Sequence, residues 1–391
     1  MPDYDSIVSI PGYKVDKIEG WEPLFVHVRC IDKVYCPFCG SKNLRKKSPY
    51  VRRVRHESIG TRRSFLLITA YKYLCKLCHR YFNQRFPGIL PKKRSSEVFR
   101  QEVFEKHNNG ICQSTLSKML NIGSATIERW YQDLLKLKVN EVKNSHCPKV
   151  MGIDEHFFSR KKGFATTICD LKRHKVFDIM LGRSELSLES SLKYLKGKNN
   201  VRVVVMDLAE VYKSLVKKQF PNALTVADRF HVIKLVNHHF LKVWQDIDPV
   251  GRKNRGLLSL MRRHEYNLKP EQVIKLSKYL LDHPELKPIY DFKQRLVKLL
   301  LLKGQNQYQC KKLVPVLLDY IQQLKNAIFE PLVTLGKTLE SWIEEVARMW
   351  RFTKSNGITE GFHNKMKTIQ KRAYGFRNFE NYRIRVRALC C

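Results

Sequence analysis

The sequence predicts a multidomain α+β protein. A small metal-binding ribbon and a helix-turn-helix segment precede an α/β core, and an all-α insertion interrupts that core. Three observations carry this. Two Cys-x-x-Cys pairs bracket strand-like residues near the amino terminus. Residues 95–138 then switch to helical periodicity. From Lys149 onward, strand-like apolar runs alternate with helical segments and give way to a long leucine- and lysine-rich helical stretch. The expected boundaries are 1–90, 95–140, 148–231, 232–350 for the insertion, and 351–391 for a final helix with a basic tail.

Composition narrows the function classes. The chain has 391 residues, 43% hydrophobic and 28% charged, which fits several packed cores and excludes a disordered or fibrous protein. No apolar run approaches the roughly 20 residues that span a bilayer. The start, MPDYDSIVSIPGY, has no signal-peptide core, so a cytoplasmic protein is expected. Lys+Arg number 73 against 36 Asp+Glu, a formal charge of +37. That excess runs along the whole chain and points to a nucleic-acid partner, without choosing between DNA and RNA. Eleven cysteines, an odd count, argue for a reducing compartment over a disulfide framework.

In the ribbon, Cys36-Pro-Phe-Cys39 and Cys75-Lys-Leu-Cys78 stand 35 residues apart. The strand-like stretches Val51–Glu57 and Ser64–Leu74 lie between them, with a turn at 58–61. A hairpin that joins two such knuckles brings four thiolates into tetrahedral reach of one zinc ion, a closed and therefore structural site. Arg52, Arg53, Arg55, Arg62 and Arg63 make the hairpin basic, suited to phosphate contacts. Leu24–Cys30 alternates and reads as a further strand. A Pro/Gly-rich linker, 86–94, follows.

Helices are expected at Ser95–His107, Cys112–Leu120 and Ser124–Lys136, with Ser124 as the cap of the third. Helix, glycine turn, helix is the helix-turn-helix spacing, and it points Thr126, Glu128 and Arg129 towards base edges. Ile127, Trp130 and Leu134 would pack inward.

The core reads as three strands in a meander (Lys149–Asp154, Lys162–Asp170, Lys175–Leu181), a helix near Glu189–Leu195 and a strand at Val201–Asp207. A helix at Ala209–Gln219 and a strand at Ala223–Val226 complete it. This order is ribonuclease H-like. It sets the first and fourth strands side by side and makes neighbours of the two acids that close them, Asp154 and Asp207. Two carboxylates at such range ionise together only with a cation between them, and oxygen-only donors suit Mg²⁺ or Mn²⁺. Two such ions about 4 Å apart can activate a water or 3′-hydroxyl and stabilise the leaving oxygen of a phosphodiester, two-metal-ion phosphoryl transfer. Asp228 also follows an apolar run, but its strand is shorter and it opens a helix. With His231 it reads as structural or DNA-contacting. Trp244, Trp342 and Trp350, in the helical stretch, read as core.

The last element, Ser355-Asn-Gly-Ile-Thr-Glu-Gly-Phe-His-Asn-Lys-Met-Lys367, has Thr353, Ser355 and Asn356 as capping residues. Glu360, Asn364, Lys367 and Lys371 fall on one helix face. Glu360 is either a surface ion-pair partner or a third metal ligand beside DNA-facing lysines. The tail from Thr368, through Arg372, interleaves aromatics with cations in a pattern suited to phosphates and stacking.

These stretches, with FPNALTVADRFHVIK and SNGITEGFHNKMKTIQKRAYGFRNFENYRIR, resemble bacterial insertion-sequence transposases of the DDE type, specifically the ISL3 family. The resemblance covers nearly the whole chain. It implies that Asp154, Asp207 and Glu360 are the catalytic acids and hold Mg²⁺ or Mn²⁺, and that Asp228-Arg-Phe-His231 is a signature ahead of the helical insertion. It further implies cleavage and strand transfer at terminal inverted repeats and target DNA, by a homodimer or larger synaptic complex associated with the nucleoid. Two other readings compete: a non-enzymatic zinc/helix-turn-helix regulator that needs only the first 140 or so residues, and, more weakly, an RNA-binding protein.

Overall fold

The computed structural model describes residues 5–142, 146–353 and 357–390, without the side chains of 141 and 142. It divides into two compact units: the residues up to Lys138 with Lys371–Gly375, and Val139–Gln370 with the residues from Phe376 on.

The first unit opens with a five-stranded sheet of β1 (Tyr13–Glu19), β2 (Leu24–Cys30), β3 (Leu44–Ile59), β4 (Arg62–Cys75) and β5 (Tyr81–Asn83). The path is β1-β2-β4-β3, with β5 on β4. β3 and β4 form a hairpin far longer than the sequence suggests, turned at Gly60, whose positive φ of 64° suits glycine. β1 was not read from the sequence because a bulge between Val15 and Lys17 breaks its period of two. The buried face of the sheet packs Val26, Val28, Val54, Leu66 and Ile68.

Three helices follow: α1 (Glu97–Asn108), α2 (Gln113–Leu120) and α3 (Ser124–Val142). Phe99, Val103, Leu116, Leu120 and Ile127 form their common core. Asn121 takes the left-handed conformation that closes α2. The cap of α3 is Gly123, not Ser124, because the N–H groups of Thr126 and Ile127 both donate to the Gly123 carbonyl. Ile127, Tyr131 and Leu135 are its buried row; Trp130 and Leu134, expected inside, are only half-buried.

The second unit is built on β6 (Val150–Ser159), β7 (Gly163–Asp170), β8 (Lys175–Leu181), β9 (Val203–Met206) and β10 (Leu224–Ala227), in the order β10-β9-β6-β7-β8. The meander is antiparallel, while β9 pairs in parallel with both β6 and β10. The first and fourth strands of this unit are therefore adjacent, as the sequence order requires. α4 (Glu185–Leu192) starts earlier than expected, since Ser184 accepts from the N–H of Ser187 and caps it. α5 (Glu210–Gln219) connects β9 to β10.

Beyond β10 the chain is helical: α6 (Arg229–Ile247), α7 (Pro249–Lys253), α8 (Arg255–Arg262), α9 (Pro270–Asp282), α10 (Leu286–Leu301), α11 (Gln307–Lys325), α12 (Glu330–Ser341), α13 (Ile343–Arg351), α14 (Gly357–Arg372) and α15 (Phe379–Cys390). The insertion is not one separate body. Trp244, Leu260, Leu276, Leu280 and Tyr290 make a small core of their own. Leu296, Leu317, Leu335, Val346 and Trp350 instead join the core of the sheet. Arg229 pins this join: its buried guanidinium donates to the carbonyls of Leu300, Leu302 and Met349. Trp244, Trp342 and Trp350 are all buried.

Candidate active site and metal centres

The cysteine centre is set by local structure. Cys36 and Cys39 lie in a turn before β3, and Cys75 ends β4 with Cys78 three residues on. Backbone bonds from Cys36 to Ser41 and from Cys75 to Arg80 close the two knuckles, and Lys76 N–H to the Asn43 carbonyl ties them together. The four sulfurs lie within 4.8 Å of one another, with Cys36–Cys78 at 3.6 Å and Cys39–Cys75 at 3.5 Å. A zinc tetrahedron with bonds of ~2.3 Å has edges of about 3.8 Å, so the donor set fits zinc. Four protein ligands fill that shell.

The second centre is assembled from distant residues. β6 does not stop at Asp154, as the sequence suggested, but runs to Ser159. What stops near Asp154 is the parallel pairing with β9, whose last paired residue opposite β6 is Val205. Asp154 thus lies beside the carboxyl end of β9, where Asp207 follows. α6 begins immediately after Asp228 and carries His231 back towards them. Ligand atoms of Asp154, Asp207 and His231 lie within 4.8 Å of one another. His231 Nδ1 contacts Asp207 Oδ1 closely and stands 3.4 Å from Asp228 Oδ2. Asp228 is buried against the same His231 nitrogen and, among the described residues, lies outside the cluster.

Electrostatics follow from burial and like charge. Burial first, and then the Asp207 carboxylate, raise Asp154 to about 7. Burial pulls the His231 imidazole down, but its contact with Asp207 and the charges of Asp207, Asp154 and Asp228 outweigh that and raise it. Two acids that repel, relieved by an adjacent cationic group, are the arrangement a hard divalent cation satisfies. The Asp154 and Asp207 carboxylates would supply its protein ligands, with His231 held against Asp207.

Facing Asp154 is a chain, hydrogen-bonded from His363 to Tyr382, that sequence reasoning missed. His363 Nδ1 is 3.7 Å from Asp154 Oδ2, and His363 Nε2 is 3.1 Å from Thr167 Oγ1. Thr167 Oγ1 is 3.0 Å from His156 Nδ1, whose Nε2 is 2.9 Å from the Tyr382 hydroxyl. All four residues are buried. Burial, then neighbouring positive groups, lowers His156 to about 3 and His363 to about 4, so both imidazoles are neutral. With Asp154 ionised, the direction of the chain is fixed. His363 turns Nδ1–H towards the carboxylate and accepts from Thr167, which accepts from His156 Nδ1–H, which accepts from Tyr382.

Glu360 is not in the acid cluster. It lies exposed in the first turn of α14. The buried row of that helix is Thr359, His363, Met366 and Ile369, one step round from it. Asn364, Lys367, Lys371 and Arg372 are exposed with it. Of the expected caps, Thr353 precedes the helix, and Ser355 and Asn356 lie outside the described residues. In the three-helix segment Ser124 and Arg129 are exposed and Thr126 half-buried, with Arg129 donating to Thr126 Oγ1 at 3.3 Å. Glu128, expected to face bases, is instead clamped between the amides of Gln113 and Gln132.

Comparison with known proteins converges on one family. A family model described as a transposase, of the ISL3 type, matches residues 151–386. A second, the zinc-finger of transposase IS204/IS1001/IS1096/IS1165, matches residues 32–78. The transposase for insertion sequence element IS1001 of Bordetella parapertussis is 22% identical over 400 residues, covering 98% of this chain and 97% of that protein.

Proposed function

The chain belongs to the ISL3 family of insertion-sequence transposases, and on that premise we propose that it binds the terminal inverted repeats of its element and catalyses metal-dependent cleavage and strand transfer of DNA. The observation that carries the reading is the meeting of Asp154 and Asp207 at the end of the parallel strands, with His231 against them. The strand order β10-β9-β6-β7-β8 supports a ribonuclease H-like core, and the α2–α3 turn supports a helix-turn-helix reader. The zinc ribbon is structural.

Mg²⁺ or Mn²⁺, when bound, activates the attacking water or 3′-hydroxyl and stabilises the leaving oxygen of the phosphodiester. Asp154 and Asp207 would hold it through carboxylate oxygens. Asp154 must be ionised for this, and His363, backed by Thr167, His156 and Tyr382, faces its Oδ2 at 3.7 Å. His231, between Asp207 and Asp228, keeps the Asp207 carboxylate turned into the site. Glu360 stands one helical turn before His363, and we assign it as the third acid, engaged when DNA and metal are bound. Lys367, Lys371 and Arg372 on the exposed face, with Ser124, Thr126 and Arg129 of α3, contact the DNA. A dimer or larger synaptic complex pairs two element ends in the bacterial cytoplasm. Among the described residues no helix is long and apolar enough to cross a membrane.

The test is cleavage of a labelled linear DNA carrying the element's own end, with Mg²⁺ or with chelator. Asp154→Asn, Asp207→Asn and Glu360→Gln should each lower nicking by about 10³-fold, the several kcal/mol such ions contribute. Asp228→Asn should retain measurable nicking. DNA that is bound but never cut, under either metal, would leave the non-enzymatic regulator as the reading.

A further inference from the structure

Helix α6 carries His231 at its start and then continues away from the acids, and its outer face lines a groove of about 630 Å³ that the mechanism above does not use. We propose that this groove binds one unpaired strand of nucleic acid beside the active site. That the strand is DNA being processed rests on the transposase reading; the binding chemistry does not.

Phe230, Lys234, His238 and Lys242 recur every fourth residue and form one row along α6. Arg252 and Arg262, from α7 and α8, make the facing wall. By helical rise the row extends about 18 Å, the reach of roughly three phosphate-to-phosphate steps of an extended single strand at about 6 Å each. No carboxylate lines the groove. Among the described residues, Lys234, Lys242, Arg252 and Arg262 have no ion-pair partner, as expected where Lys+Arg number 73 against 36 Asp+Glu, so the groove keeps its positive charge. Two lining groups, Asn237 Oδ1 and Arg252 Nε, are buried with no protein hydrogen-bond partner.

At the active-site end stands Phe230, 52% exposed, its ring centroid 5.4 Å from that of His231. A phenyl ring exposed beside an acid cluster adds nothing to the core, which the opposite face of α6 already fills with Val232, Val236 and Phe240. It does offer a stacking surface. Cations in a groove with an aromatic at one end are the means by which proteins hold single strands without reading sequence. The bases of an intact duplex are stacked on one another and would not meet this ring.

The experiment uses the full chain without added divalent metal and a 12-nucleotide oligothymidylate carrying one 5-iodouracil. The expected photo-cross-link is in the peptide containing Phe230. Combining Lys234→Gln, Lys242→Gln, Arg252→Gln and Arg262→Gln should flatten the salt dependence of log affinity by about 0.7 per phosphate contact removed, roughly 2 to 3 in all. Phe230→Ala should weaken binding roughly ten-fold and lose the cross-link, and Phe230→Trp should restore both. Circular dichroism and an unchanged duplex affinity would show that the variants fold. A wild-type salt slope in the fourfold variant, with cross-links elsewhere, would overturn the proposal. So would equal competition by polyglutamate, which would mark the groove as a site for acidic protein. Binding is read without divalent metal and so does not depend on cleavage. A chain that holds the strand here but cuts no DNA would thus count against the transposase chemistry and not against the groove.

Discussion

The cysteine centre and the acid centre hold their ligands by opposite means. Cys36, Cys39, Cys75 and Cys78 come from two turns at the base of one hairpin, and nothing beyond that hairpin is needed to bring them together. Asp154, Asp207 and His231 come from a strand, a strand end and a helix start, 77 residues apart at the extremes. Closing the first site stabilises its unit, because zinc fills the shell the sulfurs make. Assembling the second costs stability, because two carboxylates are held close in a buried place. A site built to bind is cheap to fold, whereas a site built to react stores repulsion that only its cofactor removes.

The difference can be broken most visibly at the hairpin. Cys75→Ser should remove the single zinc and with it cooperative unfolding of the ribbon, since structural zinc contributes on the order of 10 kcal/mol of apparent binding energy. Zinc content and hydrogen exchange across residues 36–83 would check this; a folded ribbon without metal would contradict it.

At the acid centre the expected sign is reversed. Folded Asp154 holds its proton to about 7, above its unfolded value. The metal-free protein therefore loses stability as pH rises from about 4 to about 7 and keeps that loss above it. Asp154→Asn removes the titration, so it should be more stable than wild type at pH 8 by up to about 4 kcal/mol. The gap should vanish near pH 4, and Mg²⁺ should narrow it at pH 8. Denaturant melts at the two pH values would show whether it does.

A smaller effect separates ligands from the residues behind them. Thr167→Val breaks the chain to His156 and His363→Leu removes the donor facing Asp154. Each should weaken Mn²⁺ binding by roughly 10–100-fold while zinc content stays at one per chain. Thr167→Ser, which keeps the hydroxyl, should stay near wild type. Equal Mn²⁺ affinity in Thr167→Val would show the chain to be packing alone. Smallest of all, Lys367→Gln and Lys371→Gln should each lower the salt slope of duplex binding by about 0.9, measured by anisotropy across a salt series.

The contrast also explains what the sequence made legible. A Cys-x-x-Cys pair announces itself, because its geometry is local. Asp154 and Asp207 were readable as acids closing β-branched runs, and their adjacency followed from strand order. The extent of β6 was not readable: its residues change from a fully buried run to the alternating Glu155–Ser159 where pairing with β9 ends and only β7 remains. His363 carries no signal of its own in the sequence of this lysine-rich helix. Its role depends on Thr167, 196 positions away, which no periodicity reveals. Glu360 shows the converse. Its segment made it conspicuous, yet the face it shares with Asn364 and Lys367 is the exposed one. Glu128 likewise sits on the face expected to read bases, but two glutamines hold it.

The most direct test of the two-centre account is metal counting in one preparation. Zinc would be measured by elemental analysis and Mn²⁺ by electron paramagnetic resonance, in wild type and in the Asp154→Asn/Asp207→Asn double variant. The account predicts one zinc in both and exchangeable Mn²⁺ only in the wild type. Equal Mn²⁺ binding by the double variant, or none by either chain, would contradict it.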